Sequence, residues 1–288
     1  MIDFERILQW RCWWKQYIKD KNHGSFPLQE EKREPIHVLM NGPSRAATIN
    51  YLEKIPGKVM MVNQALVASV EIQPDYYCLA DGVYRTDATR QVEGQESAVR
   101  KLYKVFEEYE KPLVIFTPNE LRNDIGVSNP NISFQGVCCS HCPKYHGGGI
   151  VKHILQKNMG CPRPQGVVIL ALYVSIQMGY KTIYLHGADQ NELWGISVNT
   201  YNQKIYQSKH YYDKDTNKIH IEPGTMLDEY EAQMYLYQSF YGIEKYAKDC
   251  GVKIINMSND SLVDCFEKIG SYEIEKGIGT GTEGNFGG

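Results

Sequence analysis

Short apolar segments alternate with longer amphipathic segments from residue 36 onward. The apolar segments predict strands at 36–40, 58–62, 75–80, 112–116, 132–137, 181–186 and 252–256. The segments between them repeat apolar residues at helical spacing and predict helices at 44–53, 93–110, 148–158, 166–179, 226–250 and 260–268. This alternation predicts an α/β fold with a Rossmann-like, doubly wound, mostly parallel sheet and an inserted lid segment.

Three regions depart from the alternation and divide the chain. Residues 1–35 predict a basic amphipathic helix followed by a polar linker. Residues 36–269 form the α/β domain, in which the polar and aromatic segment 187–225 is long for a connection and predicts a lid. Residues 270–288 are rich in glycine and predict a flexible tail.

The N-terminal helix, within residues 1–20, has two interpretations. Its Trp, Ile, Arg and Lys side chains suit the anionic inner surface of a cell membrane, where the protein would be peripheral. Its apolar face could instead pack on its own domain or on a second subunit, as apolar helix faces usually do. A peripheral membrane contact and a homo-oligomer are therefore both open.

The composition of the chain limits where the protein is expected to be located and what it is expected to bind. The 288 residues carry a formal net charge of -3, so no basic excess predicts nucleic-acid binding. No apolar run is long enough to span a membrane, and no secretory signal peptide is recognised. The eight cysteines form no regular framework, which favours reduced thiols and a cytoplasmic protein.

The first predicted strand ends in a tight turn of candidate ligand-binding residues. Asn41 can hydrogen-bond a ligand, and Gly42 lets the backbone approach a phosphate or ribose. Pro43 and Ser44 would open the next helix and direct amide donors at an anion. The turn has neither the G-x-G-x-x-G pattern of dinucleotide sites nor a Walker loop. An ordinary strand-to-helix turn is the alternative.

Three more predicted strands are each followed by a polar residue or a glycine. These residues are Asn63, Gln64, Asp81, Gly82, Gly187 and Asp189. Open α/β sheets bind ligands at the carboxyl ends of their strands, so we expect Asn63 and Gln64 to bind the sugar and base of a nucleotide. Asp189 would orient an acceptor hydroxyl or bind a divalent cation, with a helix cap or Asx turn as the alternative.

The predicted lid carries candidates for proton transfer. His210 can act as general base on a sugar hydroxyl, and His220 is the rival candidate. Tyr211 and Tyr212 can donate hydrogen bonds to a leaving phosphate without adding charge. A surface β-hairpin is the alternative for this segment.

A cysteine cluster supplies half of a zinc-binding pattern. Cys138, Cys139 and Cys142 lie beside two histidines, but no second C-x-x-C follows at finger spacing. Reduced thiols are the favoured interpretation, and we assign no metal ligand.

Four segments together resemble the bacterial family-42 sialyltransferases and the wider group of glycosyltransferases that includes motility-accessory-factor proteins. They are the Asn-Gly-Pro-Ser turn at 41–44, Val-Asn-Gln at 62–64, and the segments 171–189 and 256–262. The segment 171–189 joins a helix, a strand and a Gly-x-Asp turn and is the most telling of the four. One segment departs from the family, because Arg163-Pro164-Gln165-Gly166 stands where the family has Arg-Ile-Thr-Ser-Gly.

The resemblance implies an activity and residue roles. Family members transfer sialic acid or related sugars from a CMP-activated donor, with a lid histidine as base and without metal in the core machinery. The implied base is His210. Nucleotide contacts are implied at the turn and at the other strand ends, with Arg163 and Gln165 of the divergent segment among them. Donor-phosphate contacts are implied at Tyr201, Tyr206, Tyr211 or Tyr212.

We therefore expect a glycosyltransferase of bacterial surface polysaccharide or lipooligosaccharide synthesis. Its donor would be a nucleotide-activated, CMP-linked sugar and its acceptor a glycan or lipid-linked glycan, with Mg²⁺ enhancing activity but not required. Two alternatives stay open. One is an enzyme like the pterin diphosphokinases among related sequences, and the other is a non-catalytic nucleotide-binding scaffold module.

Overall fold

The computed structural model describes residues 4–20, 26, 28–67, 71–85, 95–163, 165–207, 219–221 and 223–269. Within them, eight strands form one sheet in which each neighbouring pair is parallel. They are β1 (Ile36–Leu39), β2 (Lys58–Val62), β3 (Tyr76–Cys78), β4 (Leu113–Pro118), β5 (Ile132–Val137), β6 (Thr182–His186), β10 (Lys253–Asn256) and β11 (Glu267–Lys268). Strands β7 (Ile196–Val198), β8 (Lys204–Gln207) and β9 (Ile219–Ile221) form a separate antiparallel sheet.

Helices cover both faces of the large sheet. They are α1 (Phe4–Tyr17), α2 (Arg45–Thr48), α3 (Tyr51–Lys54), α4 (Gln95–Glu107), α5 (Gly149–Gln156), α6 (Val167–Gln177) and α7 (Met226–Asp249). Side chains alternate between the faces, so Met60 packs in the cluster with α6 and α7, and Met61 in the cluster with α4. This arrangement confirms the predicted α/β doubly wound fold.

The strand order places a topological switch point beside β1. The sheet runs β11-β10-β6-β1-β2-β3-β4-β5, so the chain moves outward from β1 to β5 and then returns to the other side of β1 at β6. The pairing aligns Leu39 of β1 with His186 of β6. Open α/β sheets bind ligands in the crevice outside the carboxyl ends of the strands at such a point.

All seven predicted strands are confirmed to within two residues at each end, but two predicted helices are wrong. The single helix expected at 44–53 is two short helices, α2 and α3, separated by a turn at Ile49 and Asn50. The helix expected at 260–268 is a turn followed by β11. There Ser261 Oγ donates to Ala188 O at 2.6 Å and Leu262 N donates to Asp189 O at 2.9 Å, so these groups bond to the loop after β6.

The predicted lid and N-terminal region are only partly described. In 187–225 the structure has a 3₁₀ helix (Glu192–Gly195) and the small sheet, which an ion pair of 3.0 Å from Lys204 Nζ to Glu229 Oε2 joins to α7. The described part of the predicted linker is hydrogen-bonded to the domain, since Leu28 N donates to Gln156 O at 2.7 Å. His210, Tyr211, Tyr212 and the predicted tail lie outside the described residues. None of the described helices is both long enough and apolar enough to cross a bilayer.

Candidate functional site

The switch-point crevice is built on contact between two glycines. Gly42 N, just after β1, donates a hydrogen bond of 2.9 Å to Gly187 O, just after β6. A Cβ on Gly42 would meet Gly187 O and would lie 2.6 Å from Asp189 Oδ2. Gly187 has a φ of +66°, which favours glycine. The missing side chain of Gly42 therefore lets the loops after β1 and β6 meet, and the expected approach of Gly42 and Gly187 to a ligand stays a prediction.

Asp189 holds the first turn in place. Its Oδ2 accepts a hydrogen bond of 3.0 Å from Ser44 N, and Ser44 Oγ contacts both Asp189 Oδ1 and Ser258 Oγ. The Asp189 side chain is buried, with the residue 6% exposed. The Ser44 amide, which we expected to face a ligand anion, thus faces the carboxylate of Asp189. This contact joins the loops after β1 and β6. The predicted role of Asp189 toward an acceptor or a divalent cation stays a prediction.

Three amide side chains at the ends of β1 and β2 have buried oxygens without partners. Asn41 Oδ1, Asn63 Oδ1 and Gln64 Oε1 accept no hydrogen bond from the described residues. Gln64 Nε2 makes a 3.4 Å contact with Tyr84 Oη, which holds this side chain on its nitrogen side. An unpaired buried acceptor costs about 1–3 kcal/mol, which a ligand with suitable donors would recover.

Asn63 is further constrained by its backbone. Its φ is +45°, in the left-handed region that asparagine tolerates better than most residues. The buried Tyr77 hydroxyl donates to Asn63 O, and Leu66 N donates to the same hydroxyl at 3.3 Å. The loop after β2 is therefore fixed by Tyr77 from within the sheet, with the Asn63 and Gln64 side chains left for other contacts.

The remaining predicted nucleotide-binding residues lie in different surroundings. Asp81 and Gly82 follow β3 and are exposed, and Asp81 caps a 3₁₀ helix by accepting from Val83 N at 3.0 Å. Gln165 is also exposed. Their predicted contacts with a nucleotide stay predictions.

Arg163 lies at a second cavity. Its guanidinium carbon is 3.6 Å from the centre of the Tyr235 ring, a cation–π contact with α7. It lines a cavity of about 190 Å³ with Gln9 of α1 and His141, and no described strand-end residue of the crevice lines this cavity. The predicted contact of Arg163 with a nucleotide stays a prediction.

A buried histidine pair beneath the crevice was not identified from the sequence. His37 Nε2 is 2.8 Å from Ile55 O and must donate to it, so the neutral ring accepts at Nδ1 from His186 Nε2, 3.0 Å away. His186 Nδ1 then accepts from Thr48 Oγ1 at 3.0 Å. Burial lowers the pKa of His37, and burial with the nearby His37 and Arg45 lowers the pKa of His186 well below its usual value. Both rings are therefore neutral at pH 7.

The cysteine cluster has the properties of buried thiols. Burial raises the pKa of Cys138 to about 12 and the pKa values of Cys142 and Cys161 well above the usual value. Among the described residues, no three His, Cys, Asp or Glu side chains are grouped so that they could hold a metal ion.

The structure describes only some of the candidate residues in the predicted lid. In the small antiparallel sheet, His220 of β9 is the backbone partner of Tyr206 in β8. Tyr201, another implied phosphate contact, is 82% exposed between β7 and β8. The roles of His210, His220 and the lid tyrosines stay predictions.

Comparison with known proteins yields similarity among solved structures only. No protein-family model and no curated protein matches the chain. The sialyltransferase CstII from Campylobacter jejuni, in complex with the substrate analogue cytidine-5'-monophosphate, is 16% identical with a TM-score of 0.39, over 83% of this chain and 85% of that chain. The sialyltransferase CST-II with a trisaccharide acceptor and CMP is 16% identical with a TM-score of 0.41, over 81% of this chain and 85% of that chain. These similarities assign no activity to this chain.

Proposed function

We propose that this chain is a glycosyltransferase that moves a sialic acid-like or related sugar from a CMP-linked donor to a glycan acceptor. The acceptor would belong to a bacterial surface polysaccharide or lipooligosaccharide. The observation that carries the proposal is the set of buried amide oxygens of Asn41, Asn63 and Gln64 at the carboxyl ends of β1 and β2, for which the described part of the chain supplies no hydrogen-bond donor. The resemblance of the strand-end motifs to family-42 sialyltransferases supports the choice of reaction.

The nucleotide would bind through donors that match these acceptors. Ribose hydroxyls and the exocyclic amino group of cytosine are hydrogen-bond donors, and an amide oxygen accepts from either. Asn41 and Asn63 follow neighbouring parallel strands, so one nucleotide can bridge them. Asp189 would act here as a positioning residue, because it holds the Ser44 turn beside Asn41.

The transfer itself would use the lid. As the acceptor oxygen attacks the anomeric carbon, its O–H bond breaks and His210 takes the proton. The bond from the anomeric carbon to the phosphate oxygen breaks, and CMP leaves with the electron pair. Tyr211 and Tyr212 would donate hydrogen bonds to the leaving phosphate. Loss of such a base typically lowers the rate by about 10²–10⁴-fold. If His210→Ala keeps near-normal turnover, the base is assigned wrongly, and His220→Ala is tested next.

Ligand binding tests the crevice directly. The melting temperature is measured with CMP, CDP, UDP, GDP and ATP, and we expect CMP to raise it, since a ligand stabilises the state that binds it. Asn63→Asp keeps the size and backbone tolerance of the side chain but adds a negative charge to a site for an anionic ligand, so repulsion should reduce the shift. Asn50→Asp makes the same change at an exposed position after α2 and should leave it intact.

Two results would contradict the proposal. Stabilisation by ATP alone would favour a diphosphokinase, and equal CMP shifts in the wild type and Asn63→Asp would place binding elsewhere. A second assay separates an enzyme from a scaffold module: slow release of CMP from a CMP-sugar without acceptor indicates transfer chemistry, and its absence indicates binding alone.

A further inference from the structure

Helix α1 is fixed to the domain by its inner face. Trp13 is 8% exposed, and its Nε1 donates to Met159 O at 3.0 Å. The side-chain oxygen of Gln16 accepts from His141 N at 2.7 Å, and that of Gln9 accepts from Lys144 N at 3.1 Å. These contacts fix the rotation of the helix and therefore decide which residues face outward.

The outer face of α1 and the turn after it carries large apolar side chains. Leu8 is 48% exposed, Trp14 56% and Ile18 59%. Ile7, Trp14 and Ile18 follow helical spacing and form one stripe along the helix, and Leu8 lies at the side of this stripe. Such a stripe would normally be buried, and no described residue of the chain buries it.

Cations flank this stripe. Arg11, Lys15 and Lys19 are exposed, and none forms an ion pair with the described residues. Asp20 is directed inward instead, since its carboxylate accepts from Asn119 Nδ2 at 2.9 Å. The whole chain has a formal net charge of -3, so the basic face of α1 is a local exception.

We propose that the outer face of α1 binds the surface of a bilayer that contains anionic lipid. Trp14, Ile18 and Leu8 enter the boundary between head groups and acyl chains, while the three cations contact lipid phosphates. The charge of the face favours this occupant, because a second copy of the same helix would bring like charges together. The interaction is reversible, since one short helix supplies little apolar area.

The position of α1 gives this binding an orientation. Asn119 follows β4 and His141 follows β5, and both bond to the segment from Gln16 to Asp20. The carboxyl ends of parallel strands lie at one edge of a sheet, so the end of α1 docks at the edge that also carries the β1–β6 crevice. Binding through α1 therefore holds that edge near the membrane.

Vesicle binding of the full chain tests the proposal. The chain is sedimented with vesicles of phosphatidylcholine alone and with vesicles that also contain phosphatidylglycerol, at low and high salt. We expect binding to the anionic vesicles only, weakened by salt. The variant R11Q/K15Q/K19Q should bind about a hundredfold more weakly, since each cation contributes about a fivefold gain near an anionic surface. The variant L8Q/W14Q/I18Q should also lose binding.

A matched control tests whether the apolar residues act specifically. The variant L227Q/Y230Q/M234Q removes three exposed apolar side chains from α7 and should bind as the wild type does. Circular dichroism checks that each variant is folded. Equal binding to neutral and anionic vesicles, no binding to either, or equal losses in the α1 and α7 variants would overturn the proposal. So would a dimer, seen by light scattering, that L8Q/W14Q/I18Q dissolves, because a second copy would then occupy the face.

Discussion

The buried histidine pair predicts that the protein loses stability in mild acid. Protonating either ring removes an acceptor from the series Thr48, His186, His37 and Ile55 O and places a charge in the core. Because the folded chain has lowered pKa values for both histidines, the unfolded chain binds more protons below the usual value of 6.5. Stability is therefore fully present above pH 6.5 and falls as the pH falls below it.

The magnitude follows from the number of protons. Each proton bound only by the unfolded chain changes the free energy of unfolding by about 1.4 kcal/mol per pH unit. The two histidines together give a slope of up to about 2.7 kcal/mol per pH unit. His141, whose pKa is lowered by burial and by Arg163, adds to the slope in the same direction. Against a total stability of about 5–15 kcal/mol, such a loss is easily measured.

Urea denaturation followed by tryptophan fluorescence over this pH range is the assay. The variant His37→Phe/His186→Leu keeps a ring against Tyr184 but removes both imidazoles, so its slope should be flatter by about the predicted amount. The matched control His146→Gln removes an exposed imidazole and should keep the wild-type slope. A wild-type slope no steeper than that of the double variant would refute the reasoning. If the double variant does not fold, NMR titration of the wild type decides, and ring signals of His37 and His186 that titrate near 6.5 would be the contrary result.

Two further changes test the packing of the fold. Gly42→Ala should lower the free energy of unfolding by about 1–3 kcal/mol because the new Cβ meets Gly187 O and Asp189. The control Gly82→Ala should change it little, since no atom of the described residues lies within 4 Å of its Cβ. Similar losses for the two variants in urea denaturation would be the contrary result. Asn129→Ala should lower the free energy of unfolding by about 2–3 kcal/mol, because Asn129 Nδ2 donates to Phe106 O at 2.8 Å and to Tyr109 O at 2.7 Å near the end of α4. Thermal unfolding measures the loss, and the variant Ser128→Ala at the exposed neighbouring position is the control.

The strands of the sheet could be predicted from the sequence because each strand is marked by its own short run of residues. Most residues of runs such as Lys58–Val62 are apolar and turn residues bound these runs, and most residues of α6 are apolar. The predicted helix at 260–268 failed because Ser261 and Leu262 bond to the loop after β6, a partner distant in the chain. The sequence predicts that Ser44 and Asp189 each follow a strand. It does not predict their contact, because the two positions are 145 residues apart. The His37–His186 pair spans 149 residues, and a lone histidine in an apolar strand gives no signal of its partner.

The contacts of Ser44 with Asp189 and Ser258 have a consequence for folding order. Strands β1 to β5 are neighbours in sequence order, so pairing among them can begin while the chain is still being synthesised. The crevice cannot form at that stage, because Ser44 meets Ser258 across 214 residues. For this contact β6 must pair with β1, and β10 must then pair with β6. A nascent chain that ends before β10 lacks the third member of this contact. The crevice between the ends of β1 and β6 is therefore among the last parts of the domain to assemble. Under the proposed function, partial chains should not compete with finished ones for the donor.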